Sequence, residues 1–191
     1  MTAPAAADGA LAEMLIKGGR VSIRPASAED LLPLQRMHDR CSLDTRVHRW
    51  LGHVSAIPHD YLAEAVRHDP RHLALVAHVD GPCPETVALA SAVHVSGTKW
   101  EIGILIEDRY QRKGLGSRLL DLLVRSAPPG QCRHLIADAL ADHQHLLNRL
   151  AKYGELTMTH DYDGVAHAVV KIMHDTQLRS DWLYVPPRAA H

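Results

Sequence analysis

A short polar segment between an apolar run and a leucine-rich run contains the residues best suited to hold an anionic ligand. Gln111, Gly114 and Gly116 are spaced as Gln-x-x-Gly-x-Gly, and four residues separate Gln111 from the apolar residues 102–106. Glycines let the backbone turn tightly and approach a ligand. A helix that follows directs unpaired N–H groups and a partial positive charge at that ligand. The pattern therefore predicts a cradle for a phosphate group at the start of a helix.

Two better-known phosphate-binding motifs are absent from the chain. There is no Gly-x-x-x-x-Gly-Lys-Ser/Thr, which excludes a P-loop. Leu119 lies where a dinucleotide-binding turn has its third glycine, and no acidic residue ends a second strand about 20 residues later. What remains is a strand, the Gln-x-x-Gly-x-Gly turn and a helix, with an ordinary glycine-capped turn as the alternative interpretation.

This combination resembles the acetyl-CoA loop of the GNAT superfamily of N-acetyltransferases. The resemblance covers residues 20–173, where hydrophobic periodicity predicts strands and helices in the order of the GNAT fold. It implies an α/β fold with a mixed central sheet of about six or seven strands flanked by helices, and acetyl-CoA as cosubstrate. Residues 1–19 are predicted to be a flexible N-terminal segment with one helical turn through 11–16, and residues 174–191 a C-terminal tail.

The N-terminal part of the chain resembles one branch of that superfamily, the bacterial Pat-type protein-lysine acetyltransferases. The residues that carry this likeness are Ile23-Arg24-Pro25, Glu29-Asp30, the run from Cys41 to Arg46, and Arg49-Trp50. The likeness implies a protein lysine side chain as the acceptor. Two alternatives stay open: acetylation of a small amine such as a polyamine, amino acid or aminoglycoside, and a non-catalytic acyl-CoA-binding domain.

The resemblance also assigns the cofactor to particular residues. The strand backbone would bind the pantetheine arm and present one N–H to the thioester oxygen, and the turn would bind the pyrophosphate. The implied cofactor-binding residues are Ile104, Leu105, Ile106, Gln111, Arg112, Lys113, Gly114, Leu115, Gly116, Ser117 and His143.

Two departures from the family pattern lie in the predicted helix that runs from Asp142 to Tyr153. His143 replaces an Asn that contacts pantetheine in many relatives, and Leu150 replaces a Tyr that protonates the leaving thiolate. Tyr153 comes three residues after Leu150, too displaced in helical phase to take over that role by default. The general acid is therefore not assigned.

Glu101 is the best candidate for the general base. A lysine amine has a reference pKa near 10.4 and reaches the enzyme protonated at neutral pH, so a base must remove its proton. Glu101 lies five residues before Ile106, inside the strand expected to carry the thioester. We expect Trp100 and Ile102 to desolvate this carboxylate partly, which would strengthen it as a base. The alternative is a solvent-facing strand residue, and Glu107 is a weaker candidate expected at a solvated strand end.

Composition limits the other functional classes. The 191 residues suit a single domain, and a net charge of −1 gives no reason to expect nucleic acid or an anionic membrane as a partner. No apolar run approaches the roughly 20 residues that span a bilayer, and residues 1–9 do not resemble a secretory signal. Three widely spaced cysteines suit reduced thiols and a cytoplasmic location. The 15 histidines include no His-Glu-x-x-His or paired-cysteine spacing, so no metal is predicted.

Overall fold

A mixed sheet of eight strands runs through the described part of the chain, in the spatial order β1-β2-β3-β4-β5-β6-β8-β7. The computed structural model describes residues 10–17, 19–128, 130–160 and 163–172. Neighbouring strands are antiparallel except β5 and β6, which are parallel. The strands are β1 (Ala12–Ile16), β2 (Gly19–Pro25), β3 (His72–Val79), β4 (Glu85–Ser96), β5 (Lys99–Ile106), β6 (His134–Leu140), β7 (Gly154–His160) and β8 (Val165–Ile172).

Helices cover both faces of this sheet. The α-helices are α1 (Leu31–Arg40), α2 (Leu43–Trp50), α3 (His59–Ala65) and α4 (Leu115–Ser126). Short 3₁₀ turns occur at Ala28–Asp30 and Asp108–Tyr110, and a longer 3₁₀ segment spans Ala141–Tyr153. No helix in these described ranges is both long and apolar enough to cross a membrane.

Two hydrophobic clusters, one on each face, hold the layers together. On one face, buried residues of α1 and α3 pack against Val76, Leu89 and Leu105 of the central strands. On the other face, the leucine stripe of α4 packs against Trp100 and Ile102. The leucines of that stripe are Leu115, Leu119, Leu120, Leu122 and Leu123, and burial of each contributes about 1.5–3 kcal/mol to stability. Because β5 contributes alternate residues to the two clusters, its side chains are divided between two different environments.

The predicted fold class is confirmed, with eight strands in the sheet. A strand, β1, occupies Ala12–Ile16, where one helical turn was predicted within a flexible segment, so that local prediction is wrong. Ala12 and Ile16 are buried while Leu15 is 83% exposed, and this apolar surface residue hid the period-two pattern of a strand. The segment 1–9 and the predicted tail 174–191 lie outside the described residues.

The expected α-helix from Asp142 to Tyr153 has 3₁₀ geometry instead. Leu147, Leu150 and Tyr153 are all buried in the α4-side cluster and are spaced three residues apart. A 3₁₀ helix has three residues per turn, so this spacing places all three side chains on one face. The phase argument that separated Tyr153 from Leu150 assumed an α-helix and is therefore wrong.

Candidate active site

The sheet opens between β5 and β6. Their parallel pairing involves Lys99–Glu101 and His134–Ile136 and ends there within the described residues, although β5 continues to Ile106. The Glu107 N–H bonds to the Val87 carbonyl in the β4–β5 register. Since hydrogen-bonded pairs alternate along an antiparallel ladder, Leu105 and Gly103 also bond to β4. Ile104 and Ile106 then direct their N–H groups into the gap, whereas the Leu105 N–H points to β4. The cofactor contact of Leu105 stays a prediction.

A tight loop with two left-handed residues closes the far end of β5. Arg112 has φ +56° and Gly114 has φ +86°, and α4 begins at the next residue. The Arg118 N–H donates to the Gly114 carbonyl, which is the start of the helical ladder. The three preceding N–H groups, of Leu115, Gly116 and Ser117, have no acceptor within the helix. This loop has the local geometry of an anion cradle.

Gly116 serves a different purpose from Gly114. A Cβ built at position 116 would lie 3.3 Å from Ile106 Cδ1, closer than ordinary side-chain contact. The first turn of α4 therefore packs directly on the end of β5. Arg112 is exposed and Lys113 half-buried beside the cradle, with the Lys113 ammonium 5.3 Å from the centre of the Tyr110 ring.

Gln111 and Asp108 fasten the loop to the rest of the molecule. The Gln111 amide donates to the Ile106 carbonyl and to Thr45 Oγ1, both at 2.9 Å. Asp108 accepts hydrogen bonds from the Ser42 N–H, the Ser42 hydroxyl and the Thr45 hydroxyl. Burial raises the pKa of Asp108, but these hydrogen bonds outweigh it and the net pKa is lowered. Gln111, predicted to contact the cofactor, thus cross-links β5, the loop and the N-terminus of α2.

Glu107 is a buried ion-pair centre and not the solvated strand end that the sequence suggested. Its side chain is 5% exposed and contacts Arg40 at 2.9 Å and Arg109 at 2.5 Å. Arg40 and Arg109 both also reach Glu85. Two guanidinium groups occupy this buried carboxylate, so the arrangement gives Glu107 a structural role.

Glu101 lies at the vertex of the gap, since it forms the last β5 pair with β6. Cross-strand partners share a face, so Glu101 faces the same way as Val93 and His72, on the side of α1, α2 and α3. The side chain is exposed. The expected desolvation by Trp100 and Ile102 is wrong, because neighbours along a strand point to the opposite face. The carboxylate is instead accessible to a substrate.

An arginine that the sequence analysis did not single out as functional lies beside Glu101. A Cβ at Gly103 would collide with Arg49 Nη2, so this guanidinium rests directly on the β5 backbone. Arg49 donates to the Tyr61 hydroxyl at 2.9 Å and stacks on Trp50, and Tyr61 is hydrogen-bonded to Ser91. Gly103 and Glu101 point to the same face, which places a positive group next to the candidate base. In the sequence, only the choice of glycine at position 103, which leaves space for another side chain, could have indicated this contact.

The 3₁₀ segment after β6 borders the other side of the gap. His143 is half-buried, and the centre of its ring lies 3.6 Å from that of His48 on α2. Leu150 is buried. The Tyr153 hydroxyl donates to Asp121 on α4, which also pairs with Lys152 at 2.8 Å. Burial and the Asp121 carboxylate both raise the pKa of Tyr153.

Comparison with known proteins agrees with this geometry. The model of the acetyltransferase (GNAT) family matches residues 36–154, which include α2, the gap, the cradle and the 3₁₀ segment. The GNAT domain of S. lividans PAT superposes with a TM-score of 0.72 at 19% identity, over 84% of this chain and 96% of that domain. No curated protein sequence matches the chain.

Two further solved structures show the same fold. A GNAT-family acetyltransferase from Streptococcus pneumoniae has a TM-score of 0.62 at 20% identity, over 80% of this chain and 99% of its own. The ribosomal-protein-S5-alanine acetyltransferase from Vibrio fischeri has a TM-score of 0.61 at 14% identity, over 86% of this chain and 98% of its own. Identities this low show the fold alone. Because the family model spans more than half of its residues, the chain belongs to the GNAT acetyltransferase family.

Proposed function

We propose that this protein transfers the acetyl group of acetyl-CoA to a primary amine, and that the acceptor is a lysine side chain of a protein. The observation that carries the proposal is the gap between β5 and β6, with an anion cradle at its open end and Glu101 at its vertex. Ile106 and Glu101 are five residues apart, or about 17 Å along a strand. An extended pantetheine arm has a comparable length, so diphosphate and thioester fit the two ends.

The cofactor is assigned to groups that the gap leaves available. The N–H groups of Leu115, Gly116 and Ser117 would bind the diphosphate, with Arg112 and Lys113 adding positive charge. Along β5, the Ile106 backbone would bind pantetheine, and the Ile104 N–H, which lies nearer to Glu101, would stabilise the thioester oxyanion. Donors of this kind contribute a few kcal/mol to transition-state stabilisation. His143 stays a predicted cofactor contact at the border of the gap.

Glu101 is the proposed general base. The amine nitrogen attacks the thioester carbonyl, its proton passes to Glu101 directly or through water, and the C–S bond of the tetrahedral intermediate then breaks. Exposure of Glu101 on the α2 side leaves room for an acceptor to approach from that face. The departing thiolate takes its proton from solvent in this scheme, because the Tyr153 hydroxyl already donates to Asp121. A cytoplasmic location stays a prediction; the described cysteines Cys41, Cys83 and Cys132 are free thiols.

The decisive experiment measures thiol release from acetyl-CoA with different acceptors. A lysine-containing protein should give thiol release and mass-spectrometric acetyl-lysine, whereas a polyamine, an amino acid and an aminoglycoside should give much less. Faster turnover with one of these small amines would contradict the protein acceptor and indicate that class of small amine as the substrate. Tight acetyl-CoA binding without thiol release for any acceptor would indicate a non-catalytic binding domain.

A further inference from the structure

Four potential metal ligands from two distant parts of the chain meet between α2 and the 3₁₀ segment. Asp44 and His48 are one helical turn apart on α2, and Asp142 and His143 begin the 3₁₀ segment. One ligand atom from each of Asp44, His48 and His143 lies within 4.8 Å of the others. About 100 residues separate the two pairs in the sequence, which is why no local spacing motif reveals them.

His48 is oriented as metal-binding histidines usually are. Its Nδ1 lies 2.7 Å from the main-chain oxygen of Asp44, and a carbonyl oxygen can only accept a hydrogen bond. Nδ1 therefore carries the proton, and Nε2 has a lone pair when the ring is neutral. A metal-ligating histidine typically donates its other N–H to a carbonyl or carboxylate in this way. The His48 Nε2 atom is buried and makes no hydrogen bond to the described residues.

Two distances from Asp142 fall in the range found between neighbouring ligands of a tetrahedral metal ion. Asp142 Oδ1 lies 3.4 Å from His48 Nε2 and 3.3 Å from His143 Nδ1. Zinc–nitrogen and zinc–oxygen bonds of about 2.0–2.2 Å at tetrahedral angles separate ligand atoms by roughly 3.3–3.6 Å. The Asp44 carboxylate is 75% exposed and lies 3.4 Å from His48 Nδ1, the nitrogen that carries the proton, so a water molecule would complete the shell at Nε2.

We propose that His48, His143 and Asp142, completed by water, bind one divalent transition-metal ion, with Zn²⁺ as the best match. Imidazole nitrogens and carboxylate oxygens are ordinary ligands of Zn²⁺, and the absence of thiolate distinguishes this set from structural cysteine sites. The ion would join α2, which lies over β5, to the segment that follows β6. It would thus bridge the two sides of the gap, and it would use His143, the side chain that is also predicted to contact the cofactor.

A rival arrangement has the same distances: two protonated imidazoles paired with the Asp142 carboxylate. Metal titration separates the two, because an imidazolium has no lone pair for a metal. Metal-free full-length protein would be titrated with Zn²⁺ by calorimetry and with Co²⁺ by visible absorption. The matched variants are His48→Gln, Asp142→Asn, and the control His59→Gln, which removes a histidine from an exposed His–Asp pair with Asp60.

The wild type and His59→Gln should each bind one ion tightly, and His48→Gln and Asp142→Asn should bind it at least about 100-fold more weakly. Zn²⁺ should also raise the melting temperature of the wild type and not that of His48→Gln. Asp142 is 69% exposed, so its variant tests the site without disturbing buried packing. Equal affinity of the wild type and both site variants, or no binding by the wild type, would overturn the proposal.

Discussion

Gly114 is the position where one substitution separates cofactor binding from folding. Its φ of +86° lies in the left-handed region, and a Cβ there would lie 3.9 Å from Met14 Cε, which is ordinary contact. Gly114→Ala therefore adds backbone strain and no clash. Gly164, in the β7–β8 turn, has φ +79°, and a Cβ at that position would have nothing within 4 Å, so Gly164→Ala imposes the same strain far from the cradle.

The two variants should lose similar stability and very different affinity. A left-handed alanine costs about 1–2 kcal/mol, which in a domain of this size lowers the melting temperature by about 2–8 °C. If the loop relaxes that strain at Gly114, the N–H groups of Leu115 and Gly116 turn away from the diphosphate. Loss of one hydrogen bond to a charged group is worth about 1.5–3 kcal/mol, or roughly 10- to 150-fold in affinity.

Calorimetry with acetyl-CoA, together with thermal unfolding followed by circular dichroism, measures both quantities. Gly164→Ala should bind acetyl-CoA as the wild type does, and Gly114→Val should abolish binding while remaining folded. A folded Gly114→Ala protein with wild-type affinity would refute the assignment of this loop to the cofactor. An equal loss of affinity in Gly164→Ala would show that strain acts through global stability.

Three other side chains test the base, the cofactor contact and the acid stability of the fold. Glu101→Gln should lower turnover by about 10²–10⁴-fold with little change in acetyl-CoA affinity. The loss of turnover should be smaller at high pH, where more of the amine arrives deprotonated. An equal loss at every pH would indicate that Glu101 only positions the substrate. His143→Ala should weaken acetyl-CoA binding in calorimetry, and unchanged affinity and turnover would contradict its predicted contact. Burial raises the pKa of Asp30, but the nearby His78 imidazole and the hydrogen bonds from Arg24 and Ser27 outweigh it and the net pKa is lowered. The wild type should thus lose stability as pH falls below about 4. Asp30→Asn should be less stable at neutral pH with a flatter acid profile in urea unfolding, and parallel profiles would contradict this.

The strands and the cradle could be predicted because local patterns determine them. Periodicity in the sequence predicts a strand over His72–Val79 and a helix over about Leu115–Ser126, and the structure has both elements with these bounds. The sequence Ser96-Gly97-Thr98 predicts a hairpin turn, and Gly97 adopts φ +54° in the turn between β4 and β5. In each case, a hydrophobic period of two or 3.6 residues, or a glycine at a turn, is sufficient to predict the element.

The environment of single side chains could not be predicted in this way. Glu101 and Glu107 lie on one strand and its end, yet their burial is the reverse of what the sequence suggested. The reason is long-range: Arg40, from α1, supplies the charge that makes burial of Glu107 possible. Likewise, the position of α2 determines two contacts: the hydrogen bond from Gln111 to Thr45 and the packing of Arg49 on Gly103. A single sequence does not encode such tertiary contacts in any local period.

The short ladder between β5 and β6 divides the sheet into two units that are joined by only a few hydrogen-bonded residues. Strands β1 to β5 form one antiparallel unit, in which the pairs β1–β2, β3–β4 and β4–β5 are local hairpins. Strands β6, β8 and β7 form a second unit, attached through Lys99–Glu101 and by packing on α4 and α2. Cooperative opening of that smaller unit would expose its amides to hydrogen exchange before global unfolding. A ligand bound along the open edge of β5 would contact both units and hold them together. Amide hydrogen exchange in β6 and β8 should then be slower with the ligand bound than without it.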